Sequence, residues 1–491
     1  MSKKIYVLLE KYNNMSSSLK AAFWFTVCSF LQRGITVVTT PIFTRLMNSA
    51  EFGQFSVFNS WLEIFIPIIT LKISSGYYLK GLISFEEDRD NFTTSMLSLD
   101  MILIIFWLFI YILFQDYINK LLNIDTSMML CLFILVTTGS WFEFWSAHKR
   151  VDFKYRNLII VSLIVTFLKP TLGIIAVIFN PSIKVFARIM AIITVEFVIY
   201  FFLFIKEIKL SNVFFNKKYW IGALSFCIPL VPHYLSQTIL NHSDRIMIQQ
   251  INGDTSAGIY SLADSIAMIM ILFNSLIQNS LSPWNYQQLK DKNYKSMKKV
   301  SSVVLCIIAL LNLLLILIAP EVIAFFAPKS YQEAVYVIPP VAMGVYFMFM
   351  YGLFVNVEMY YEKTKYIMFS SVLSAIVNII LNIIFIRIFG YIAAAYTTLI
   401  CYILYALFHG LCVTKIQRSI LDGNSVYNYT FIIFISIIFI LCGFIIMFFY
   451  NYTFIRYFII FILIIIIFVY KKKIINLFGI IQNAKRRKTN D

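Results

Sequence analysis

Residues 429–450, YTFIIFISIIFILCGFIIMFFY, run for 22 positions without one charged side chain. A helix crosses the roughly 30 Å hydrocarbon layer in about 20 residues, so this stretch reads as one complete membrane crossing. It lacks the alternation of a barrel strand, which leaves the helix as the spanning structure that satisfies its own backbone. Working outward, about 14 windows of this kind cover the chain, near 19–41, 55–79, 92–114, 128–147, 158–179, 185–205, 219–241, 258–281, 300–319, 334–355, 366–389, 391–411, 429–450 and 453–470. With 60% hydrophobic and 13% charged residues and a mean hydropathy of +0.80, no soluble core could hide so much apolar surface. The expected class is an all-α polytopic integral membrane protein.

Positive charge sets the orientation. With both termini cytoplasmic, inside segments collect about 30 of the 41 Lys and Arg and outside loops about 8. Lys149, Arg150, Lys154 and Arg156 form one inside cluster, and Arg45, Lys184, Arg188, Arg245 and Arg456 count as outside. Basic cytoplasmic loops facing an anionic leaflet account for the net charge of +17, so nucleic-acid binding is not expected. The basic N-terminus leads into a full-length span without a small-residue cleavage site, and is read as uncleaved. The seven cysteines lie in or beside apolar spans without a CxxC pair and read as small buried hydrophobes. The four histidines suggest no metal site, and His148 beside Lys149 and Arg150 reads as a solvated loop residue.

Neither the phosphate-cradling GxxxxGK[ST] loop nor the esterase GxSxG is present. Outer loops of at most about 20 residues leave no room for an extracytoplasmic catalytic domain. The chain is therefore not expected to be an enzyme, to use a cofactor or to hold a metal centre.

The informative residues are the polar ones inside the spans, because a mid-bilayer charge costs on the order of 3 kcal/mol and is retained where it meets water or a partner. Ser29, Gln32, Arg33, Thr36 and Thr40 share one stripe of the first span, and Ser56, Asn59, Ser60, Glu63 and Thr70 lead to Lys72 in the second. Lys169 sits deep in the fifth span beside Pro170. Ser236 or Gln237, Asn241 and Asp244 descend one face of the seventh, Arg245 follows, and Asp264 is in the eighth. Asp244 and Arg245 are adjacent and do not share a face, so their partners belong to other helices. Asn378 and Asn382 lie one turn apart in the eleventh span, ahead of Thr397 and Thr398 in the twelfth. Such oxygens either ligate a small hard cation or join helices by hydrogen bonds.

The stretch Glu51-Phe-Gly-Gln-Phe-Ser-Val57 resembles Ser256-Ala-Gly-Ile-Tyr-Ser-Leu262, each after an arginine, Arg45 or Arg245, assigned to the preceding outer loop. Six spans separate the copies. That predicts two parallel six-helix lobes around a central cavity, residues 1–210 and 211–415, with residues 416–491 as two peripheral helices and a basic cytoplasmic tail.

Four passages carry a family resemblance: Pro41-Ile-Phe-Thr-Arg-Leu-Met47 with Glu51-Phe-Gly53; Ser243-Asp-Arg-Ile-Met-Ile248; Gly258-Ile-Tyr-Ser-Leu-Ala263 with Ser282-Pro-Trp284; and Asn378-Ile-Ile-Leu-Asn382 leading through Phe389-Gly390 to Ala393-Ala-Ala-Tyr-Thr-Thr398. In these the chain resembles the Wzx-type polysaccharide flippases of the multidrug/oligosaccharidyl-lipid/polysaccharide exporter superfamily. The resemblance implies a multi-pass protein of the bacterial inner membrane. It implies flipping of an undecaprenyl-pyrophosphate-linked oligosaccharide, an O-antigen or capsule repeat unit, from the cytoplasmic to the periplasmic leaflet by alternating access. It also implies membrane lipids as surroundings and a polysaccharide polymerase and chain-length regulator as partners. By the same analogy Lys72, Lys169 and Arg33 attract the pyrophosphate, Arg33 on the reading of its own helix alone, and Arg245 serves the outward state or a gate. Glu63, Asp244 or Asp264 would carry a coupling proton. Asn378, Asn382 and Thr398 resemble part of a Na⁺ site of related lipid flippases, with an amide, Asn382, where a carboxylate is expected. Two other readings share the composition: a membrane-embedded polysaccharide polymerase or ligase, and a multidrug antiporter of the same superfamily.

Overall fold

The computed structural model describes residues 17–152 and 154–465. Among them every regular element is a helix. Two compact units divide the chain, Met1–Thr238 and Ile239–Asp491.

The first unit contains α1 (Ser17–Leu46), α2 (Ser49–Ile69), α3 (Tyr77–Ser84), α4 (Arg89–Leu113), α5 (Gln115–Leu122), α6 (Thr126–Val151), α7 (Tyr155–Phe179), α8 (Lys184–Ile208) and α9 (Lys217–Cys227), and α10 (Val231–Asn252) leads out of it. The turn before α2 is closed by a capping box: Asn48 Oδ1 accepts from the Glu51 N–H at 2.8 Å, and the Asn48 N–H donates to Glu51 Oε2 at 2.8 Å. Helices α6 and α7 pack against α8, α1 lies on α7, and α2, α3 and α4 lie on α6. Ile73, Tyr78, Leu82, Phe92 and Phe144 form one core, and Trp141, Trp145, Val165, Val195 and Tyr200 another.

The second unit contains α11 (Asp254–Lys290), α12 (Tyr294–Leu317), α13 (Ala319–Phe326), α14 (Ile338–Tyr360), α15 (Thr364–Phe389), α16 (Ala393–Ile420), α17 (Tyr429–Phe448) and α18 (Thr453–Ile465). Gly253 alone separates α10 from α11, and its φ of +85° is what lets a single residue make that turn. The most thoroughly buried apolar helix is α14, which is flanked by α11, α12 and α16. Helix α17 packs on α12 and α14, where Tyr346 and Ser436 share a 3.0 Å hydrogen bond.

Twelve of the described helices are long and apolar enough to cross a bilayer. They correspond to the second through thirteenth sequence windows. The first window lies in α1, a helix of 30 residues, and the last begins in α18 and runs beyond the described residues.

Three sequence expectations need correction. His148 is not a solvated loop residue: it is buried inside α6, with Nδ1 2.5 Å from Glu207 Oε2 of α8. Arg245 is not in a loop either, because α10 continues to Asn252 and carries it within the helix. The second span lies earlier than its window 55–79, as a continuous helix over Ser49–Ile69. α2 stops at Ile69 and α3 begins at Tyr77, and between them Leu71 and Lys72 adopt left-handed backbone at φ +48° and +52°. The Lys72 N–H is still satisfied, by Thr70 Oγ1 at 3.2 Å.

Candidate functional site

The irregular segment between α2 and α3 is the first functional landmark. Here Lys72 Nζ lies 3.5 Å from Glu143 Oε1, and the Ser74 hydroxyl donates to the other oxygen of the same carboxylate. Glu143 is eight residues inside the Val151 end of α6, or about 12 Å along the helix axis. One carboxylate therefore holds the irregular segment against a continuous helix.

Glu143 also lines a cavity of about 500 Å³ among α1, α6, α7 and α8. Lys169 reaches it from α7, and Gln32 and Thr36 contribute the α1 stripe. Lys169 forms an ion pair with Glu196 of α8, whose second oxygen accepts from Thr138 Oγ1 at 2.7 Å. Arg188, nearer the Lys184 end of α8, lines the same cavity with its guanidinium against the rings of Phe43 and Phe55, 3.5 Å from each centroid. Phe142 and Tyr200 stack at 4.7 Å along another wall. The cavity thus combines fixed cations, hydroxyls and an aromatic face.

At the end of the same unit, Asp152 lies among Arg89 (3.2 Å), Lys154 (2.9 Å) and His148 (3.7 Å), and Lys149 reaches Glu207 at 3.0 Å. Arg89, His148, Lys149, Asp152 and Lys154 border a polar cleft of about 680 Å³ with Glu86, Glu87, Asp88 and Asp90. Burial alone would raise the Asp152 carboxyl, but the Lys154 hydrogen bond and the charges of His148, Lys154 and Lys149 hold it below its ordinary value.

The second unit gathers a separate constellation around Asp244. Its Oδ2 accepts from Tyr260 Oη at 2.7 Å and Thr398 Oγ1 at 2.6 Å, and its Oδ1 accepts from Asn382 Nδ2 at 2.6 Å. Asn378 donates to Thr398 at 3.1 Å and accepts from Ser243 at 3.2 Å, and Thr397 donates to the Asn382 carbonyl. Four helices, α10, α11, α15 and α16, meet there with Asp244, Asn378, Asn382 and Thr397 buried. The next residue, Arg245, is paired with Asp264 of α11.

Among the residues singled out in the sequence, the structure brings Asp244, Asn378, Asn382 and Thr398 into one network and pairs Arg245 with Asp264. It places Lys169 on a cavity and Lys72 on a glutamate that lines that cavity. Glu63 is exposed on α2, and the Arg33 side chain lies outside what the structure describes. Sequence reasoning missed Glu143, Glu196 and Arg188. Their signal was the one applied elsewhere, an ionisable residue inside an apolar window, and the glutamates were legible on that ground.

Residues 18–289, more than half of the chain, match the family described as polysaccharide biosynthesis protein, and residues 229–384 match the MatE family. The Lsg locus putative protein 1 of Haemophilus influenzae is 22% identical over 356 residues, covering 69% of this chain and 84% of the relative. An uncharacterized membrane protein of the same organism is 23% identical over 358 residues, covering 69% and 82%. Among solved structures, the lipid II flippase MurJ in an inward closed conformation superposes with a TM-score of 0.68 at 17% identity, covering 92% of this chain and 99% of that one. An inward-facing multidrug resistance MATE family transporter of the MOP superfamily gives 0.61 at 11% identity, covering 79% and 96%. These likenesses show that the fold is shared.

Proposed function

Since the chain belongs to the polysaccharide biosynthesis protein family and has the fold of a lipid II flippase, we propose that it flips an undecaprenyl-pyrophosphate-linked oligosaccharide repeat unit. The direction is from the cytoplasmic to the periplasmic leaflet of a bacterial inner membrane, by alternating access, in the making of O-antigen or capsule. The observation that carries this reading is the cavity of the first unit, where Lys169, Arg188, hydroxyls and the Phe142–Tyr200 pair stand within a bundle whose outer residues are apolar. A lipid-linked sugar has three parts with three solvents: a dianionic pyrophosphate, a hydrated glycan, and a tail that stays in hydrocarbon. Cations answer the first, and hydroxyls and aromatic faces the second. The exposed apolar residues of the helices suit the third.

The Asp244 network supports ion coupling. Asp244, Asn378, Asn382 and Thr398 bring one carboxylate and neutral oxygens together, the donor set of a small hard cation. Asp244 supplies the carboxylate that position 382 lacks. Na⁺ is therefore the proposed coupling ion, and no redox or group-transfer chemistry is implied.

Proteoliposomes test the proposal. The purified protein should move a fluorescent lipid-linked oligosaccharide between leaflets without changing its chain length. Lengthened glycan would make the protein a polymerase. Drug efflux together with no lipid translocation would make it a multidrug antiporter.

A further inference from the structure

The cavity of the first unit carries its groups at different levels. Along α8 from the Lys184 end come Arg188, then Glu196 with its partner Lys169, then Tyr200 one turn further. At the Tyr200 level Phe142 of α6 stacks on the Tyr200 ring, with centroids 4.7 Å apart and planes 19° from parallel, and Glu143 is the next residue of α6. Phe142 is half-buried, and both it and Glu143 line the cavity. An aromatic plate beside a carboxylate suits one pyranose ring: the C–H face lies on the plate and the hydroxyls donate to the anion.

Glu143 has room to accept. A carboxylate offers about four lone-pair sites on its two oxygens, and here Lys72 approaches one oxygen and Ser74 donates to the other. Its side chain is 39% exposed, against 10% for Glu196, whose two oxygens are engaged by Lys169 and Thr138.

We infer that Phe142, Tyr200 and Glu143 form the subsite for the sugar bonded directly to the pyrophosphate, and that this subsite takes an uncharged sugar and rejects a uronic acid. This rests on the reading that Lys169 holds the pyrophosphate, which places the attached sugar one turn away at the Tyr200 level. The discrimination comes from charge. The wall at this level includes Glu143 but, among the described residues, not its cation Lys72. Two like charges about 8 Å apart, roughly one sugar ring, disfavour each other by more than tenfold at an effective dielectric of about 20, and Lys72 offsets part of that. Arg188 does not compensate a uronate here, because it stands about 18 Å along α8 from Tyr200 with its guanidinium against Phe43 and Phe55. Lys169 is committed to the pyrophosphate.

The test is competition binding to the full-length protein in lipid nanodiscs at neutral pH. Three ligands share one short polyprenyl chain: a glucosyl pyrophosphate, its glucuronosyl counterpart, and a methyl-capped pyrophosphate without sugar. The first two differ only at C6. Wild type should bind the glucosyl ligand about tenfold tighter than the glucuronosyl one, and E143Q, whose amide oxygen still accepts from Ser74, should close or reverse that gap. F142L should lower the advantage of the glucosyl over the methyl-capped ligand about fivefold, and F142Y should retain it. A wild type lacking either preference, an undiminished gap in E143Q, or an undiminished sugar advantage in F142L overturns the inference. Failure of the primary reading looks different: the methyl-capped pyrophosphate does not bind wild type, or binds K169A as tightly as wild type.

Discussion

Exchanging Asp244 for asparagine probes the second unit most sharply, because the substitution keeps the shape and changes one atom and one charge. Asn382 Nδ2 points at Asp244 Oδ1 from 2.6 Å, while Tyr260 and Thr398 donate to Oδ2. In D244N the retained carbonyl can serve Tyr260 and Thr398, which puts the new NH₂ against the NH₂ of Asn382. Flipping Asn382 relieves that clash but turns its NH₂ toward the Thr397 hydroxyl, which now donates to its carbonyl. Either way one charge-assisted bond is lost and one buried donor is misplaced, a cost of about 2–3 kcal/mol. The double variant D244N/N382D moves the carboxylate across the same bond and restores acceptor facing donor there, while Asn378 Oδ1, which accepts from Asn382 Nδ2 at 3.2 Å, loses that donor. Thermal unfolding with and without NaCl reads both effects. An ion present at 100 times its dissociation constant stabilises wild type by about 2.7 kcal/mol, and D244N should lose that increment. The double variant should recover part of the stability and a salt-specific increment with Na⁺ over K⁺. If D244N responds to Na⁺ as wild type does, the Asp244 network is helix adhesion and not an ion site.

Three further outcomes follow from packing and charge. K72G should relieve left-handed strain of about 1 kcal/mol at φ +52° while abolishing transport, so unfolding stability and flipping should separate in parallel assays. G81A should destabilise by about 3 kcal/mol in a thermal unfolding assay, since its Cβ would stand 2.0 Å from the ring of Phe92, which is fully buried and stacked on Tyr78. Buried Arg456 holds Glu321 through bonds of 2.7 and 2.8 Å, so E321A should cost about 2 kcal/mol, less than a fully buried pair because Glu321 is 36% exposed. Burial raises the Glu321 carboxyl, but the Arg456 bonds outweigh it and hold the group below its ordinary 4.5. A depressed carboxyl contributes stability above its unfolded value and loses it as pH falls through the folded one. The advantage of wild type over E321A should therefore be constant near neutrality and shrink below about pH 4.5 in pH-dependent melts.

The helices were legible because runs such as 429–450 leave no other solvent open to them, and hydropathy needs no knowledge of neighbours. The Asp244 network was partly legible for a local reason: Asn378 and Asn382 are one turn apart, and Asp244 continues a polar stripe. What brings Tyr260, Thr397 and Thr398 to the same point is the packing of four helices, which leaves no periodicity in any one of them. Glu143 and Glu196 carried the signal of a charge in an apolar window, but their meaning comes from Lys72 and Lys169 on other elements, which no single helix reveals. The break after Ile69 was hidden for a different reason. Leu71 and Lys72 are poor residues for left-handed backbone, and only Ser75-Gly76 beyond them hints at an interruption.

The central claim is that the cations of the first unit carry a pyrophosphate head through the membrane. Leaflet translocation of an undecaprenyl-pyrophosphate-linked oligosaccharide in proteoliposomes, compared between wild type and K72A/K169A at equal protein level, tests it most directly. Loss of flipping in the double variant, at equal folded protein, is the predicted result; flipping at the wild-type rate would contradict it.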